Sequence, residues 1–221
     1  MKKLILSAIA LTALHCATYA QKKVSLFDGK TTKGWHSYLK QDAGAWSVVD
    51  GALQLDPNAP NPADLVTDGE YENYELSIDW KIAEGGNSGI IIGVKEDSTY
   101  HATYTTGMEM QVLDNVKAND NKKANHLAGS LYDMIAAPAD AAKPAGQWNT
   151  AKIRKDKGHL TLWLNGKETA NVQMGSPEWQ QLLDNSKFKS WKNYAKFPKG
   201  RIALQNHGAV VSYKNITIKQ L

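Results

Sequence analysis

The run Met108-Glu109-Met110-Gln111-Val112-Leu113-Asp114 is the part of this 221-residue chain whose residue types and spacing offer chemistry most directly. In an extended strand Met110 and Val112 point to one side, and Glu109 and Gln111 to the other. A carboxylate and an amide on one sheet face can reach a ligand together, although a solvated outer face would carry the same spacing. Three further polar clusters could join them. Gly86-Asn87-Ser88-Gly89 sets an amide among small residues, whose glycines allow close backbone approach; a tight turn would read the same way. Gln205-Asn206-His207-Gly208 offers three hydrogen-bonding side chains, with His207 suited to proton transfer, to a single metal bond or to ordinary loop duty. Tyr132-Asp133 and Trp148-Asn149 flank a stretch rich in Ala and Pro. A tryptophan beside an amide suits a sugar, because the ring stacks on C–H faces while the amide reads hydroxyls.

Several chemistries are absent from the pattern. The chain has no glycine-rich phosphate loop and no His-Glu-x-x-His helix. It has no Gly-x-Ser-x-Gly elbow, and its single cysteine, Cys16, lies near the N-terminus. His101, His126, His159 and His207 are scattered, so the spacing demands no metal and no cofactor, although folding could assemble a metal site.

The elements that must position these groups read mostly as strands. Tyr74 to Ile82 alternates strictly, with Tyr74, Leu76, Ile78, Trp80 and Ile82 on one face, as in a half-buried antiparallel strand. Gly89 to Val94 and Met108 to Leu113 are short apolar runs. His159 to Asn165 leads through Asn165-Gly166, a strong hairpin signal, into Lys167 to Met174. Trp46 to Val49 and Leu53 to Leu55 flank the Asp50-Gly51 turn, and Arg201 to Gln205 and Val210 to Lys219 close the chain. Ser176 to Lys187 reads as a helix, with Ser176 as N-cap, Pro177 in the first turn and Trp179, Leu182 and Leu183 on one face. Asn115 to Ala145 reads as a long loop, of the kind that shapes binding sites. Many short strands with turn signals predict an all-β, two-sheet jelly-roll sandwich carrying one short helical insertion.

Lys2 and Lys3, the apolar run Leu4 to Leu14, and small residues up to Ala20 predict an export signal over residues 1–20. The remaining residues 21–221 suit one domain, placed in the periplasm or at the cell surface. Lipidation at Cys16 ranks second, because His15 stands where that processing prefers a small side chain. With the leader set aside, basic residues exceed acidic ones by only two, which predicts no nucleic-acid partner. No later apolar run approaches transmembrane length. Seven tryptophans and nine tyrosines against three phenylalanines favour partly exposed binding surfaces, or equally a core and its rim.

Taken in order, these motifs resemble the bacterial 3-keto-disaccharide hydrolase domain family. The resemblance runs through Leu26-Phe27-Asp28-Gly29-Lys30, Gly34-Trp35, Trp46 with Asp50-Gly51, and Tyr74-Glu75-Leu76. It continues through Gly86-Asn87-Ser88-Gly89, Glu109 to Asp114, Gly129-Ser130-Leu131-Tyr132, Gln147-Trp148-Asn149 and Trp163 to Gly166. It ends with Leu204 to Gly208 and Lys214-Asn215-Ile216. It implies a concanavalin A-like jelly roll, with Ser176 to Lys199 as an insertion. It implies cleavage of glycosides already oxidised at C3, made by a partner 3-dehydrogenase. A C3 ketone acidifies the C2 proton, so a base can form the enolate and the C1 substituent can leave, with water adding back afterwards. Such a site needs a base, a group that stabilises the enolate oxygen and an acid for the leaving group. The resemblance implies Glu109 and His207 as catalytic groups, with Gln111, Asn87 and Tyr132 binding substrate; Gln205 and Trp148 join the binding set from their clusters. A divalent metal polarising the ketone is compatible with this scheme. The competing reading is a non-catalytic carbohydrate-binding module on the same sandwich.

Overall fold

The computed structural model describes residues 22–221; the expected leader and Cys16 lie outside the described residues. Thirteen strands and one α-helix are present in that span. The early strands are β1 (Val24–Ser25), β2 (Trp35–Ser37), β3 (Trp46–Val49), β4 (Ala52–Leu55) and β5 (Leu65–Thr67). Next come β6 (Tyr74–Ile82), β7 (Asn87–Val94), β8 (Met108–Leu113), β9 (Asn149–Asp156), β10 (His159–Leu164) and β11 (Lys167–Gln173). Helix α1 (Pro177–Asp184) precedes β12 (Arg201–Leu204) and β13 (Val211–Gln220). One sheet runs β11-β10-β9-β6-β13-β4-β3, with β1 also on β13; the other runs β2-β5-β12-β7-β8. All pairings are antiparallel, and the two sheets form a jelly-roll sandwich around one main core.

Side-chain alternation explains the larger sheet. Tyr74, Leu76, Ile78, Trp80 and Ile82 of β6 are buried, and the residues between them are half-buried on the outer face. In β13 the buried set changes parity, from Val211 and Tyr213 to Ile216 and Ile218. A bulge between Lys214 and Thr217 absorbs the extra residue, with Asn215 at φ 52°. Strand β9 does not stand out in the sequence, because two of its four inward positions are Asn149 and Lys155. The Lys155 ammonium is held by the carbonyls of Glu72 and Pro198, which makes its burial tolerable. The short β1, β2 and β5 also go unannounced, and β7 begins two residues before the expected Gly89.

The smaller sheet is covered on both faces. Leu65, Ile90, Ile92, Met108, Met110, Val112, Ile202 and Leu204 face the main core. On the opposite face Val66, Ile91 and Ala203 pack with Tyr38 and Val94 in a second cluster. Residues 95–107 roof that face: Tyr38 donates to the Tyr100 carbonyl at 3.0 Å, and Thr106 Oγ1 accepts from the Lys95 amide at 3.0 Å. All six residues of β8 are therefore buried, although it is an edge strand. Its free edge is paired by residues 129–132, through Gly129 N–H to Gln111 O at 2.8 Å and Tyr132 N–H to Glu109 O at 3.0 Å.

The predicted insertion is present, though α1 ends at Asp184 and a 3₁₀ turn follows at Lys187–Ser190. Ser176 caps α1 by accepting from the Trp179 amide at 3.1 Å, with Pro177 in the first turn. The segment is tied down at Lys187 N–H to Asp133 Oδ2, 2.8 Å, and at Ala195 N–H to Thr106 O, 2.8 Å. Among the described residues no helix is long and apolar enough to cross a membrane.

Candidate active site

A cleft of about 260 Å³ opens on the roofed face of the smaller sheet. The parity of β8 delivers Glu109 and Gln111 to it, while Met110 and Val112 go to the core. The register then sets their neighbours: Gly89 lies opposite Gln111 across β7 and β8, and Gln205 follows Leu204 at the end of β12. Asn87, Gln205, His207 and Tyr132 line the same space.

Gly89 has a steric reason to be glycine. A Cβ there would lie 2.3 Å from Glu109 Oε1 and 2.7 Å from its carboxyl carbon. The Glu109 side chain thus lies flat across the β7 backbone, and Gln205 Nε2 approaches its Oε2 at 3.4 Å. Burial pushes the Glu109 carboxyl up to about 8; Lys187 and the Gln205 amide pull it down, while Asp64 and Asp120 push it further up. Two buried amide oxygens in the cleft, Asn87 Oδ1 and Gln205 Oε1, have no hydrogen-bond partner. Unsatisfied buried acceptors are costly, so the two amides are held at the cleft against that cost.

Supporting contacts fix this arrangement. Ser88 Oγ donates to the Gln205 carbonyl at 2.6 Å and lies 2.9 Å from the Tyr213 hydroxyl, locking β7 to the end of β12. Asp64 accepts the Asn206 amide at 2.8 Å and the Thr103 hydroxyl, which sets the loop that carries exposed His207. Burial raises the Asp64 carboxyl above its ordinary range, and these two donors and His207 oppose that.

A second chain of polar contacts orders the long loop. The Tyr132 hydroxyl donates to Asp120 Oδ2 at 2.9 Å, and Asp120 Oδ1 lies 2.7 Å from His126 Nδ1. His126 Nε2 lies 3.0 Å from Asp133 Oδ1, and Asp133 holds the Lys187 amide. Burial disfavours an ionised Asp133, yet the Lys187 amide, His126 and Lys123 hold its carboxyl below the usual range. Burial and then the Asp120 bond raise the Tyr132 phenol. Lys187 Nζ sits 4.2 Å from the centre of the Tyr132 ring, so the insertion brings an ammonium group over the cleft.

Six of the seven side chains singled out in the sequence therefore share one cleft: Glu109, His207, Gln111, Asn87, Tyr132 and Gln205. Trp148 does not join them. Asn149 takes an inward position at the start of β9, so the residue before it points outward. The Trp148 ring lies 4.1 Å from Lys214 Nζ and 5.0 Å from Lys81 Nζ, side chains on the outer face of the other sheet. The cleft also takes Tyr104, Gly107, Asp120, Lys187 and Phe188, which sequence reasoning missed. Tyr104, Gly107, Asp120 and Phe188 come from segments without strand or helix periodicity, and Lys187 stands at the end of the expected helix, in the 3₁₀ turn that follows α1. Among the described residues no three His, Cys, Asp or Glu side chains gather where a metal ion could be held.

Comparison with known proteins bears on this geometry. The sequence profile of the 3-keto-alpha-glucoside-1,2-lyase-like domain matches residues 22–219. A 3-keto-disaccharide hydrolase of Bacteroides thetaiotaomicron is 32% identical, over 98% of this chain and 84% of that protein. A crystal structure of a proposed glycosyl hydrolase from Parabacteroides distasonis superposes with a TM-score of 0.83 at 30% identity, covering 90% of this chain and 94% of that one. A Bacillus subtilis protein with a galectin-like fold superposes with a TM-score of 0.53 at 14% identity, covering 86% and 90%. That last likeness is one of fold alone.

Proposed function

The chain belongs to the 3-keto-alpha-glucoside-1,2-lyase-like family, and on that premise we propose that it cleaves glycosides oxidised at C3 by proton abstraction at C2. The observation that carries this reading is Glu109: a buried carboxyl whose pKa burial raises to about 8, lining one cleft with Asn87, Gln111, Gln205 and His207. A ketone makes the neighbouring C–H only weakly acidic, so a carboxylate of raised pKa is a better base for it than an ordinary one. Glu109 takes the C2 proton, and the C2–H electron pair forms the C2=C3 enolate. The Lys187 ammonium offsets the charge on the enolate oxygen. The enolate then re-forms the ketone, a C1=C2 double bond forms, and the C1–O bond breaks. His207, at the mouth of the cleft, gives the departing oxygen its proton. Addition of water to the double bond converts the elimination into a net hydrolysis; without it the protein is a lyase. Asn87 and Gln205 accept from the sugar hydroxyls, and Gln111 and Tyr132 complete the walls.

An unoxidised sugar has no carbonyl at C3, so its C2 proton is not acidic and the route is closed. The substrate must therefore come from an oxidation at C3 by a separate dehydrogenase. The test offers the purified protein trehalose or cellobiose and their 3-keto derivatives, with and without added divalent metals. Released sugar is followed in water, and C2 hydrogen exchange in deuterated water. Cleavage of the keto forms alone, with exchange, is the expected result. Rapid cleavage of the unoxidised sugars, or binding of either form without cleavage, would refute it. Residues 1–20 fit an export leader, so the reaction is placed outside the cytoplasm.

A further inference from the structure

A second groove, of about 510 Å³, adjoins the cleft. Its walls are Thr99 to His101, Tyr104 and Thr105 from the roofing segment, and Trp191 to Asn193 from the insertion. Tyr104 lines both spaces, and Phe188, which lines the cleft, packs edge-on to Trp191 with ring centres 5.1 Å apart. The two cavities thus lie side by side, with Tyr104 between them and the Phe188–Trp191 pair next to it.

The cleft itself is small. At about 260 Å³ it falls just below the roughly 300–1,000 Å³ typical of pockets for drug-sized ligands, which is room for one sugar ring and not two. A glycoside has a second part, bonded at C1, that must lie outside the cleft during the reaction. We propose that the Tyr104–Trp191 groove binds this leaving group, and that its occupant is a second sugar ring. The assignment rests on the ketone-directed reading above.

The chemistry of the groove fits that occupant. Tyr104 and Trp191 have ring centres 5.9 Å apart, tilted by 42°, and His101 stands edge-on to Tyr104 at 6.1 Å. Tyr104 is 38% exposed, although large apolar side chains in this chain are mostly covered. Trp191 is held from behind by Phe188 and Tyr194, which stack on each other with centres 3.9 Å apart. Tyr194 is in turn anchored on Met134 through its hydroxyl. Aromatic rings held rigidly at an open groove present flat faces to the C–H surface of a pyranose at little entropic cost. Exposed Lys192 and Asn193 at the rim supply the hydrogen-bonding groups that sugar hydroxyls need. Selectivity for the leaving group therefore arises where the roofing segment meets the insertion; the Asn115 to Ala145 loop contributes no residue to the groove.

The test uses Trp191→Ala and, as a milder change that spares the packing behind it, His101→Ala; neither residue lines the cleft. Each variant is assayed on a 3-keto-disaccharide and on the 3-keto methyl glucoside, whose leaving group is too small to reach the groove. For Trp191→Ala we expect kcat/KM on the disaccharide to fall roughly 3- to 10-fold, the loss appropriate to one stacking partner, with the methyl glucoside within two-fold of the unmodified protein. His101→Ala should shift the ratio in the same direction by less. Equal losses on both substrates would mark Trp191 as structural and overturn the assignment, as would no loss on either. Failure of the unmodified protein to cleave both substrates is a different result: it refutes the ketone-directed reading, and the leaving-group assignment falls with it.

Discussion

Replacing Glu109 by glutamine should harm catalysis and help the fold, and the second effect should depend on pH. Glutamine keeps the size and one acceptor oxygen of the side chain but carries no charge. In the native protein burial lifts the carboxyl from 4.5 to about 8. The folded state therefore holds the Glu109 proton over a range where the unfolded state has released it. The folded state binds more protons there, so this residue's contribution to stability falls as pH rises from about 4.5 and levels off above about 8. The full fall corresponds to about 5 kcal/mol, and at pH 7 to about 3 kcal/mol, before solvent reorganisation reduces it. Urea unfolding of both proteins from pH 5 to pH 9 measures this. The stability of Glu109→Gln relative to the unmodified protein should rise by several kcal/mol across the range. Turnover on a 3-keto-glycoside should drop by roughly 100- to 10,000-fold, as expected when a positioned base is removed. In the unmodified protein the rising limb of the kcat/KM profile should be set by Glu109, with activity climbing as pH approaches about 8, since the base works only when ionised. Parallel stability curves for the two proteins would show that Glu109 does not titrate with this coupling to folding. A variant that keeps its turnover would remove Glu109 from the proton-transfer step.

Lys187→Met should move the activity profile to higher pH, because the lysine's charge lowers the Glu109 carboxyl, and should cost roughly 100-fold in rate through the lost enolate partner. A shift to lower pH, or an unmoved profile, would count against that contact. Gly89→Ala should leave the sandwich folded, with an overpacking cost of about 1–3 kcal/mol by thermal unfolding, while displacing the Glu109 carboxylate. Turnover should then fall about 100-fold, the penalty of misplacing a reacting group by an ångström or so. Full activity in this variant would mean that Glu109 works from another position.

The legible parts of this protein are those where a periodic element fixes side-chain direction. Strand β6 and the β10–β11 hairpin were visible because alternation and Asn165-Gly166 mark them. The parity of β8 correctly sent Glu109 and Gln111 to one face, and Ser176-Pro177 marked the start of α1. Strand β9 was hidden by inward Asn149 and Lys155: Asn149 is satisfied by the neighbouring Lys143 amide and by Asn165, and Lys155 by carbonyls distant in sequence. That omission also misdirected Trp148: without a strand at 149, nothing indicated that its ring would face outward over Lys81 and Lys214. Asp120 reaches the cleft from a loop, and Tyr104 and Lys187 from 3₁₀ turns, and their approach depends on contacts such as Tyr132–Asp120 and Lys187–Asp133 that no local pattern encodes.

The division of labour that follows is specific. The sandwich places Glu109, but an edge strand with one face open would leave it solvated and ordinary in proton affinity. Burial comes from residues 95–107, from the loop ordered by Asp120, His126 and Asp133, and from the insertion that carries Lys187 and Trp191. Of these, the insertion supplies the opposing charge of Lys187, and the roofing segment and the insertion together supply the groove beside the cleft. Base strength and leaving-group selectivity are therefore both set by covering segments, above all by the insertion, through Lys187 for the one and Trp191 for the other. Shortening the insertion between Ser176 and Lys199 would expose Glu109 to water. Its carboxyl should then return toward 4.5, the pH dependence of stability should flatten, and discrimination between large and small leaving groups should be lost in the same variant.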